Sequence, residues 1–226
     1  EKECLGALVL KEAPTAPTPA QVRQVLKEAL QSEGLAKLLN WTPAAQQLRQ
    51  RLAFVHHWDA EKWPDVSEPA LLARTDEWLD PFLGAEPDGT ALQRLDVCQA
   101  LMTLVPWDLQ RSLDEWAPVA VKMPSGRNVM IDYQNAPAPF VAVKLQEVFG
   151  WQETPRLAEG RVPLTLQLLS PAQRPVQVTR DLASFWRDGY FAVRKELAGR
   201  YPKHYWPEDP LTATPTSRVR PKSGSL

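Results

Sequence analysis

The sequence predicts an α+β protein: an N-terminal helical bundle-like region followed by a mixed α+β domain with antiparallel strands and a long C-terminal helix. Three observations predict it. Between residues 18 and 117, apolar side chains recur at three- and four-residue spacing in segments that open on Thr or Ser and close near Gly or Pro. From Pro118 the spacing changes to alternation, as in "VAVKMPSGRNVMIDY". After Asp181 helical spacing returns, with Leu182, Phe185, Trp186, Tyr190, Val193, Leu197 and Tyr201 on one face.

The first element is "LGALVL", an apolar run that reads as one buried strand with no sequence before it to pair with. Residue 1 is Glu, and the Pro/Thr/Ala linker "KEAPTAPTPA" comes after the strand. Residues 1–17 are therefore expected to be the end of a preceding β domain plus its linker, and the chain a piece of a longer protein. Thr18 is placed as an N-cap, Pro19 sits where a missing N–H costs nothing, and Gln21 closes a capping box. Val22, Val25, Leu26, Ala29 and Leu30 form the stripe of the first helix, which ends before Gly34. Thr42-Pro43 repeats the signal ahead of Leu48, Leu52 and Val55. Ser67 opens a third helix bearing Leu71, Leu72 and Trp78, and Thr90 a fourth through Leu92, Leu95, Cys98, Leu101 and Met102. "PWDLQRSLDEWAP" supplies a short fifth with Leu109, Leu113 and Trp116. Connections this short favour antiparallel neighbours, which makes 18–117 a helical domain.

In the α+β domain, 118–210, Val119, Val121 and Met123 alternate before Pro124-Ser125-Gly126, and Val129, Ile131 and Tyr133 alternate after it, the pattern of a β-hairpin. "FVAVKLQEVFG" reads as a strand passing into one or two helical turns. "RVPLTLQLLS" and "RPVQVT" read as strands, with Pro163 assigning the first to an edge. Beyond Pro210, "LTATPTSRVRPKSGSL" has almost nothing apolar, so 211–226 is expected to be a disordered tail.

Composition excludes several classes of function. With 226 residues, 44% of them apolar, and nine tryptophans, the chain can bury a sizeable core. No apolar run approaches the roughly 18 residues of a membrane span. The first ten residues lack the layout of a signal peptide, so no span and a cytoplasmic location are expected. Cys4 and Cys98 lie too far apart, without a partner pattern, for a disulfide framework or a zinc site. The net charge of −1 hides an asymmetry. Residues 1–115 carry 11 Lys and Arg against 18 Asp and Glu, a net −7, and residues 116–226 carry 15 against 9, a net +6. Such halves either attract each other or leave a basic half to track an anionic polymer.

The motifs of nucleotide hydrolysis are missing. None of the ten glycines precedes a lysine, so no phosphate-cradling loop of the Walker type exists. "DEW" at 76–78 and at 114–116 lies in helical patterns with Trp on the apolar stripe, unlike a metal-binding Asp-Glu pair at a strand end. His56 and His57 are adjacent, and neighbours on a helix point about 100° apart, so they cannot chelate together. Ser125 lacks a Gly-x-Ser-x-Gly frame, and Glu208-Asp209 sits in a Pro-bounded loop without apolar surroundings to raise a pKa. No catalytic, cofactor-binding or metal-ligating residues are assigned, and no enzyme activity is expected of this chain.

Four strings carry a family resemblance: "MPSGRNVMIDY" from Met123, "LQEVFG" from Leu145, "TPRLAEGRVPLTLQLLSPAQRPVQVTRDLASFW" from Thr154, and "RYPKHYWPEDP" from Arg200. In order and spacing they resemble the C-terminal region of HrpB-type ATP-dependent helicases, bacterial relatives of the DEAH/RHA RNA helicases. The resemblance is strong over the last hundred residues and looser before them. It implies an accessory region of an RNA helicase, assisting RNA binding and regulating a motor that is not in this chain. ATP and Mg would be bound by the parent's motor domains, which are the implied partners in cis. It also implies that "LGALVL" is a last strand of an oligonucleotide-binding barrel.

The basic half spreads Arg127, Lys144, Arg156, Arg161, Arg174, Arg180, Arg187, Arg194, Lys195, Arg200 and Lys203 over strands and helix. Of these, Arg127, Arg156, Arg161, Arg187, Arg194, Arg200 and Lys203, together with His204, are the candidate RNA contacts. The alternative is a protein docking module without direct nucleic-acid contact, supported by the tryptophans and the acidic helical half. Within "RYPKHYWPEDP", Tyr205 or Trp206 would stack on a base in one reading. In the other, three prolines hold a segment extended so that Tyr201 and Trp206 pin it to the helix, and the prolines favour this one.

Overall fold

The computed structural model describes the backbone of residues 2–5 and 8–12 and all of residues 16–221. The chain divides into two compact units, Glu1–Ala45 with Val66–Leu104 and Gln46–Asp65 with Val105–Leu226. This division does not coincide with the expected boundary at 117/118. Most of the second helix and all of the fifth helical segment belong with the strands, because Arg51 and Phe54 of that helix bond and pack there.

In the first unit, β1 (Lys2–Leu5) and β2 (Leu8–Glu12) pair antiparallel, with Leu5 opposite Leu8 and Cys4 opposite Val9. "LGALVL" is therefore shared between two paired strands and is not a single strand lacking a partner. Its side chains, and linker residues 13–15, lie outside the described residues. Helix α1 (Pro19–Glu33) begins on the expected capping box: the Gln21 amide donates to Thr18 Oγ1 at 3.3 Å and the Thr18 amide to Gln21 Oε1 at 2.8 Å. It ends at Gly34, whose φ of 86° belongs to the region that favours glycine. A Cβ there would also come within 3.0 Å of Glu68 Oε1, which accepts from the Leu35 amide at 2.8 Å.

Short helices complete this unit: α2 (Leu35–Leu38), and, after the residues that join the second unit, α4 (Glu68–Ala73), α5 (Thr75–Trp78), α6 (Ala91–Arg94) and α7 (Val97–Met102). One long helix was expected from Thr90 to Met102. Leu95 is instead extended, and the Asp96 carboxylate accepts from the Gln99 amide at 3.0 Å, so a second N-cap restarts the helix. Leu30, Leu35, Leu71, Trp78, Leu79 and Leu101 form a core without solvent contact, with the Trp78 indole donating to the Leu71 carbonyl at 2.9 Å. Lys27 ties α1 to Asp76 and Asp80.

The second unit takes all but the start of α3 (Pro43–Trp58), then α8 (Trp107–Gln110), α9 (Leu113–Trp116) and every remaining strand. Buried Arg51 donates to the Ala117 carbonyl at 2.6 Å and the Leu113 carbonyl at 3.3 Å, and pairs with Asp114. One guanidinium thereby satisfies the Ala117 carbonyl at the end of α9 and adds a second donor to the Leu113 carbonyl, which already accepts from the Ala117 amide. Phe54 packs on Tyr133 at 5.1 Å between ring centroids. β3 (Ala120–Lys122) and β4 (Asn128–Met130) form the expected hairpin. β5 (Phe140–Lys144) passes into a 3₁₀ turn, Leu145–Glu147.

The remaining strands depart from the antiparallel expectation in one respect. After the small ladder of β6 (Arg156–Leu157) with β7 (Val162–Pro163), β8 (Thr165–Leu169) pairs parallel with β5 and antiparallel with β9 (Pro175–Thr179), in the order β5-β8-β9. "VPLTLQLL" is thus two strands. Pro163, which has no N–H to donate, ends β7, and Leu166 and Leu168 lie buried at the centre of the sheet.

The C-terminal helix runs from α10 (Leu182–Ser184) through a π turn, Phe185–Gly189, into α11 (Tyr190–Arg200). The Tyr190 amide donates to the Phe185 carbonyl across the wide turn, and a Cβ on Gly189 would meet the Phe185 ring at 2.9 Å. The extra residue rotates the C-terminal part of the helix by about 100°. Val193 is consequently only half-buried, and Arg194 is half-buried as well.

Residues 211–221, expected to be disordered, are pinned by hydrogen bonds. Thr216 donates its amide to the Gln146 carbonyl at 2.9 Å, Tyr205 to Val219 at 3.1 Å and Gly150 to Pro210 at 2.9 Å. The apolar count missed this because hydrogen bonds to backbone groups, not apolar side chains, do much of the holding. Residues 222–226 of the expected tail lie outside the described residues. Among the described residues no helix is long and apolar enough to cross a membrane.

Two variants separate core packing from capping. Leu168→Ala should lower stability to urea by about 2–5 kcal/mol, and Asp96→Ala by about 1 kcal/mol. Equal losses in urea unfolding would contradict the capping role of Asp96.

Candidate nucleic-acid interface

The candidate cations are mostly occupied. Arg127, in the β3–β4 turn, makes a two-pronged contact with Glu147, Nε to Oε2 at 2.8 Å and Nη2 to Oε1 at 2.9 Å. Arg156 donates to the carbonyls of Gly160 and Arg161 and so closes the β6–β7 loop. Arg161 lies 4.8 Å from the Trp116 ring centre, as does Lys62, and is 3.8 Å from both Asp59 and Glu159. Arg187 pairs with Asp188 and Arg200 with Glu196, both at the surface. Arg194 donates to the Trp206 carbonyl at 3.1 Å. Lys203 is exposed and forms no ion pair with a described residue. His204 is half-buried, its ring between those of Tyr201 and Trp206, and burial followed by the charge of Lys144 pushes its pKa below 6.5.

"RYPKHYWPEDP" is therefore glue. The Trp206 indole donates to the Tyr201 carbonyl at 2.9 Å, closing the end of α11, and the Tyr205 ring stands edge-on to Phe149. The Tyr190 hydroxyl donates to the Pro207 carbonyl at 2.7 Å and Trp186 to the Trp151 carbonyl at 2.7 Å.

Of the candidate residues only Arg127 lines a cleft of about 310 Å³ in the second unit, whose walls are Arg127, Ala142, Lys144, Glu147, Leu169, Gln173 and Ser217. Its walls are built on buried polar groups. The Glu147 side chain is 2% exposed, and Ser125 Oγ donates to its Oε2 at 3.1 Å beside Arg127. Buried Gln146 carries the C-terminal segment, accepting from Thr216 and donating through its side chain to the Arg218 carbonyl. In the β8–β9 turn, buried Ser170 donates its amide to the Arg174 carbonyl at 2.8 Å and accepts from the Gln173 amide at 2.9 Å. That turn holds Gln173 at a φ of 60°. A second cleft, of about 580 Å³, lies in the first unit between Pro17, Pro19, Val22 and the loop Glu86–Gly89. Its Asp88 carboxylate is held at a pKa of about 2 by Thr90 and then by Arg94, so this cleft is acidic.

Sequence reasoning named Arg127 and missed Lys144, Glu147, Gln173 and Ser217 as neighbours. The signal lay in the strings themselves: Ser125 and Arg127 come from "MPSGR", Gln146 and Glu147 from "LQEVFG", and Ser170 and Gln173 from "LLSPAQRP".

These strings, at this spacing on this fold, define the C-terminal region of a helicase, and the chain belongs to the family described as ATP-dependent helicase C-terminal, matched over residues 78–210. It is similar to the ATP-dependent RNA helicase HrpB of Escherichia coli (strain K12), 43% identical over 218 residues, which are 96% of this chain and 27% of that protein. The crystal structure of E. coli DExH-box NTPase HrpB matches with a TM-score of 0.82 at 42% identity, covering 94% of this chain and 26% of that one. The crystal structure of E. coli DEAH/RHA helicase HrpB matches at 0.69 and 40%, covering 91% and 26%. The chain thus spans about a quarter of the length of these relatives and corresponds to the C-terminal region of an HrpB-type helicase.

Trp206→Ala should lower the melting temperature, whereas Arg200→Ala should leave it nearly unchanged, since a surface pair contributes little. A stable Trp206→Ala chain in a thermal melt would overturn the glue assignment. In an NMR titration, His204 should change charge below pH 6.5, and Lys144→Met should move that midpoint upward. Because its folded pKa is depressed, protonation of His204 removes stability as pH falls through and below 6.5. A midpoint unmoved by Lys144→Met would show that Lys144 does not act on the ring.

Proposed function

We propose that this chain is the accessory region of an ATP-driven RNA helicase, contacting RNA electrostatically through its second unit and regulating a motor that lies elsewhere in the same protein. ATP and Mg belong to that motor, and the accessory region works in the cytoplasm without a cofactor of its own. The observation that carries this reading is the set of uncompensated cations. Among the described residues of the second unit, Lys144, Arg174, Lys203 and Arg218 form no ion pair, whereas in the first unit Lys27, Lys37, Arg74 and Arg94 are matched by carboxylates and Arg23 donates to the Gly84 carbonyl. Free cations release counterions from a phosphate backbone; paired ones must first break a contact. Of the eight candidate residues, Lys203 is the one best placed to contribute, with Arg127 partly available at 49% exposure.

Docking on a protein is the second reading, favoured by Trp107, which is 73% exposed at the start of α8. An exposed tryptophan is a common anchor of protein interfaces.

Fluorescence anisotropy with a single-stranded RNA oligonucleotide decides between them. The chain should bind at low salt, with log K falling against log salt by about 0.7 for each phosphate neutralised. Lys203→Ala with Arg218→Ala should flatten that slope and leave folding intact. Absence of binding at low salt, together with retained capture of helicase motor domains, would establish the docking reading. The chain should also show no ATP turnover, and hydrolysis by a helicase-free preparation would refute the accessory assignment.

A further inference from the structure

The cleft beside Glu147 has the chemistry of an oxyanion site. Arg127 and Lys144 both line it, and its neutral polar groups are the Gln173 amide and the Ser217 hydroxyl. A guanidinium, an ammonium, an amide N–H and a hydroxyl together suit a ligand that carries several acceptor oxygens and a negative charge. The one acid in the lining is already saturated. Glu147 Oε2 accepts from Arg127 Nε and Ser125 Oγ, Oε1 accepts from Arg127 Nη2, and the side chain is almost wholly covered. Arg127 commits two donor nitrogens to that carboxylate and keeps the far edge of its guanidinium free. Lys144 has no counter-ion among the described residues, and its charge is felt by the nearby His204 ring.

The walls are also preorganised. The hairpin turn is fixed through Glu147, the C-terminal segment through Gln146, and the β8–β9 turn through Ser170. Gln173 is held in the left-handed region, an arrangement that costs about 1 kcal/mol or more in a non-glycine residue and that recurs at ligand sites. The volume, about 310 Å³, stands at the lower end of the roughly 300–1,000 Å³ of small-ligand pockets, room for a phosphate with its sugar and too little for a longer strand. Ala142 and Leu169 supply apolar wall beside the charged groups. Arg174 and Arg218 come directly after Gln173 and Ser217 in the chain, and neither forms an ion pair with a described residue.

We infer that this cleft binds a single phosphate group, with Lys144, Arg127, Gln173 and Ser217 as its ligands, and that the phosphate is a backbone phosphodiester of single-stranded RNA. The second clause rests on the RNA-contacting function proposed for the second unit; the first does not.

Inorganic phosphate is the probe. Added to the 226-residue chain at constant ionic strength, it should shift the backbone amide resonances of Lys144, Gln173 and Ser217 saturably, and chloride should not. Lys144→Gln should weaken this binding about tenfold, the effect of losing one charge-assisted contact. Gln173→Gly guards against a folding artefact, since glycine adopts the left-handed conformation freely; it should keep or raise stability while weakening phosphate. A single-stranded RNA oligonucleotide should then displace phosphate from the wild-type chain. Shifts of equal size with chloride, or phosphate binding unchanged in both variants, would overturn the site even if RNA still bound elsewhere. Phosphate binding that RNA fails to displace would keep the anion site and overturn the RNA assignment, making a free phosphate compound its ligand.

Discussion

The buried carboxylate of Glu147 is the constraint around which the second unit is arranged. A carboxylate 2% exposed must be paired and hydrogen-bonded, or it destabilises the fold by several kcal/mol. Arg127 and Ser125 meet that demand from the other side of a hairpin turn, so the β3–β4 turn cannot move without exposing a charge. The residue before it, Gln146, makes the same demand in neutral form and draws in residues 216–218. Two adjacent residues on one 3₁₀ turn therefore fix two segments that are far apart in the chain. Breaking a pair of this kind costs about 3 kcal/mol or more when one partner stays buried, against a net stability of about 5–15 kcal/mol for a domain.

The aromatic cluster works alongside it. Phe149, two residues after Glu147, stands edge-on to Tyr190 and Tyr205 and tilted against Trp186, with ring centroids 6.1–6.2 Å apart. Pairs of this geometry contribute about 0.5–1.5 kcal/mol each beyond their burial. The π turn brings two of these partners, Trp186 and Tyr190, together with Phe185, which packs on both. It keeps Phe185, Trp186 and Tyr190 all inward over six residues, and Gly189 gives the Phe185 ring its space. "LQEVFG" thus carries polar anchors and an aromatic hub in one short string.

Fold class, the first capping box, the hairpin and the strand-to-turn passage at Lys144 are legible in the sequence because each is a local pattern: a cap, an alternation, a turn triplet. The illegible features depend on competition between local signals or on distant partners. Asp96 outcompetes the continuous stripe from Thr90 to Met102, and periodicity has no means of ranking a cap against a stripe. Pro163 reads as the mark of an edge strand, yet it separates β7 from a central strand; the parallel pairing of β5 with β8 arises from the crossover and not from either strand's composition. The tail from 211 to 221 is poor in apolar residues, and its hydrogen bonds to Gln146 and Tyr205 leave no trace in composition. The cleft is half legible: its strings all stand out, but only folding shows that Arg127, Lys144 and Gln173 face one space.

Counting basic residues is a poor guide to a binding surface because arginine and lysine serve different ends here. Arg51, Arg156, Arg194 and Arg220 all donate to backbone carbonyls, and Arg180 reaches the Pro137 carbonyl. A planar fork with five donors is suited to closing carbonyls at a helix end or a loop, and it keeps its charge when half-buried. Lys144 and Lys203 make no such bonds among the described residues; an ammonium on a flexible stem gains less from a fixed carbonyl and is more strongly hydrated. The +6 of residues 116–226 is therefore divided between charge that holds the fold and charge that remains for a partner. Only the second kind attracts an anion over a Debye length of about 8–10 Å without first losing a structural contact. By that criterion the proposed anion site is the Lys144 cleft, with Lys203 as a further available charge, while Arg187, Arg194 and Arg200 of the C-terminal helix are already engaged in contacts within the fold.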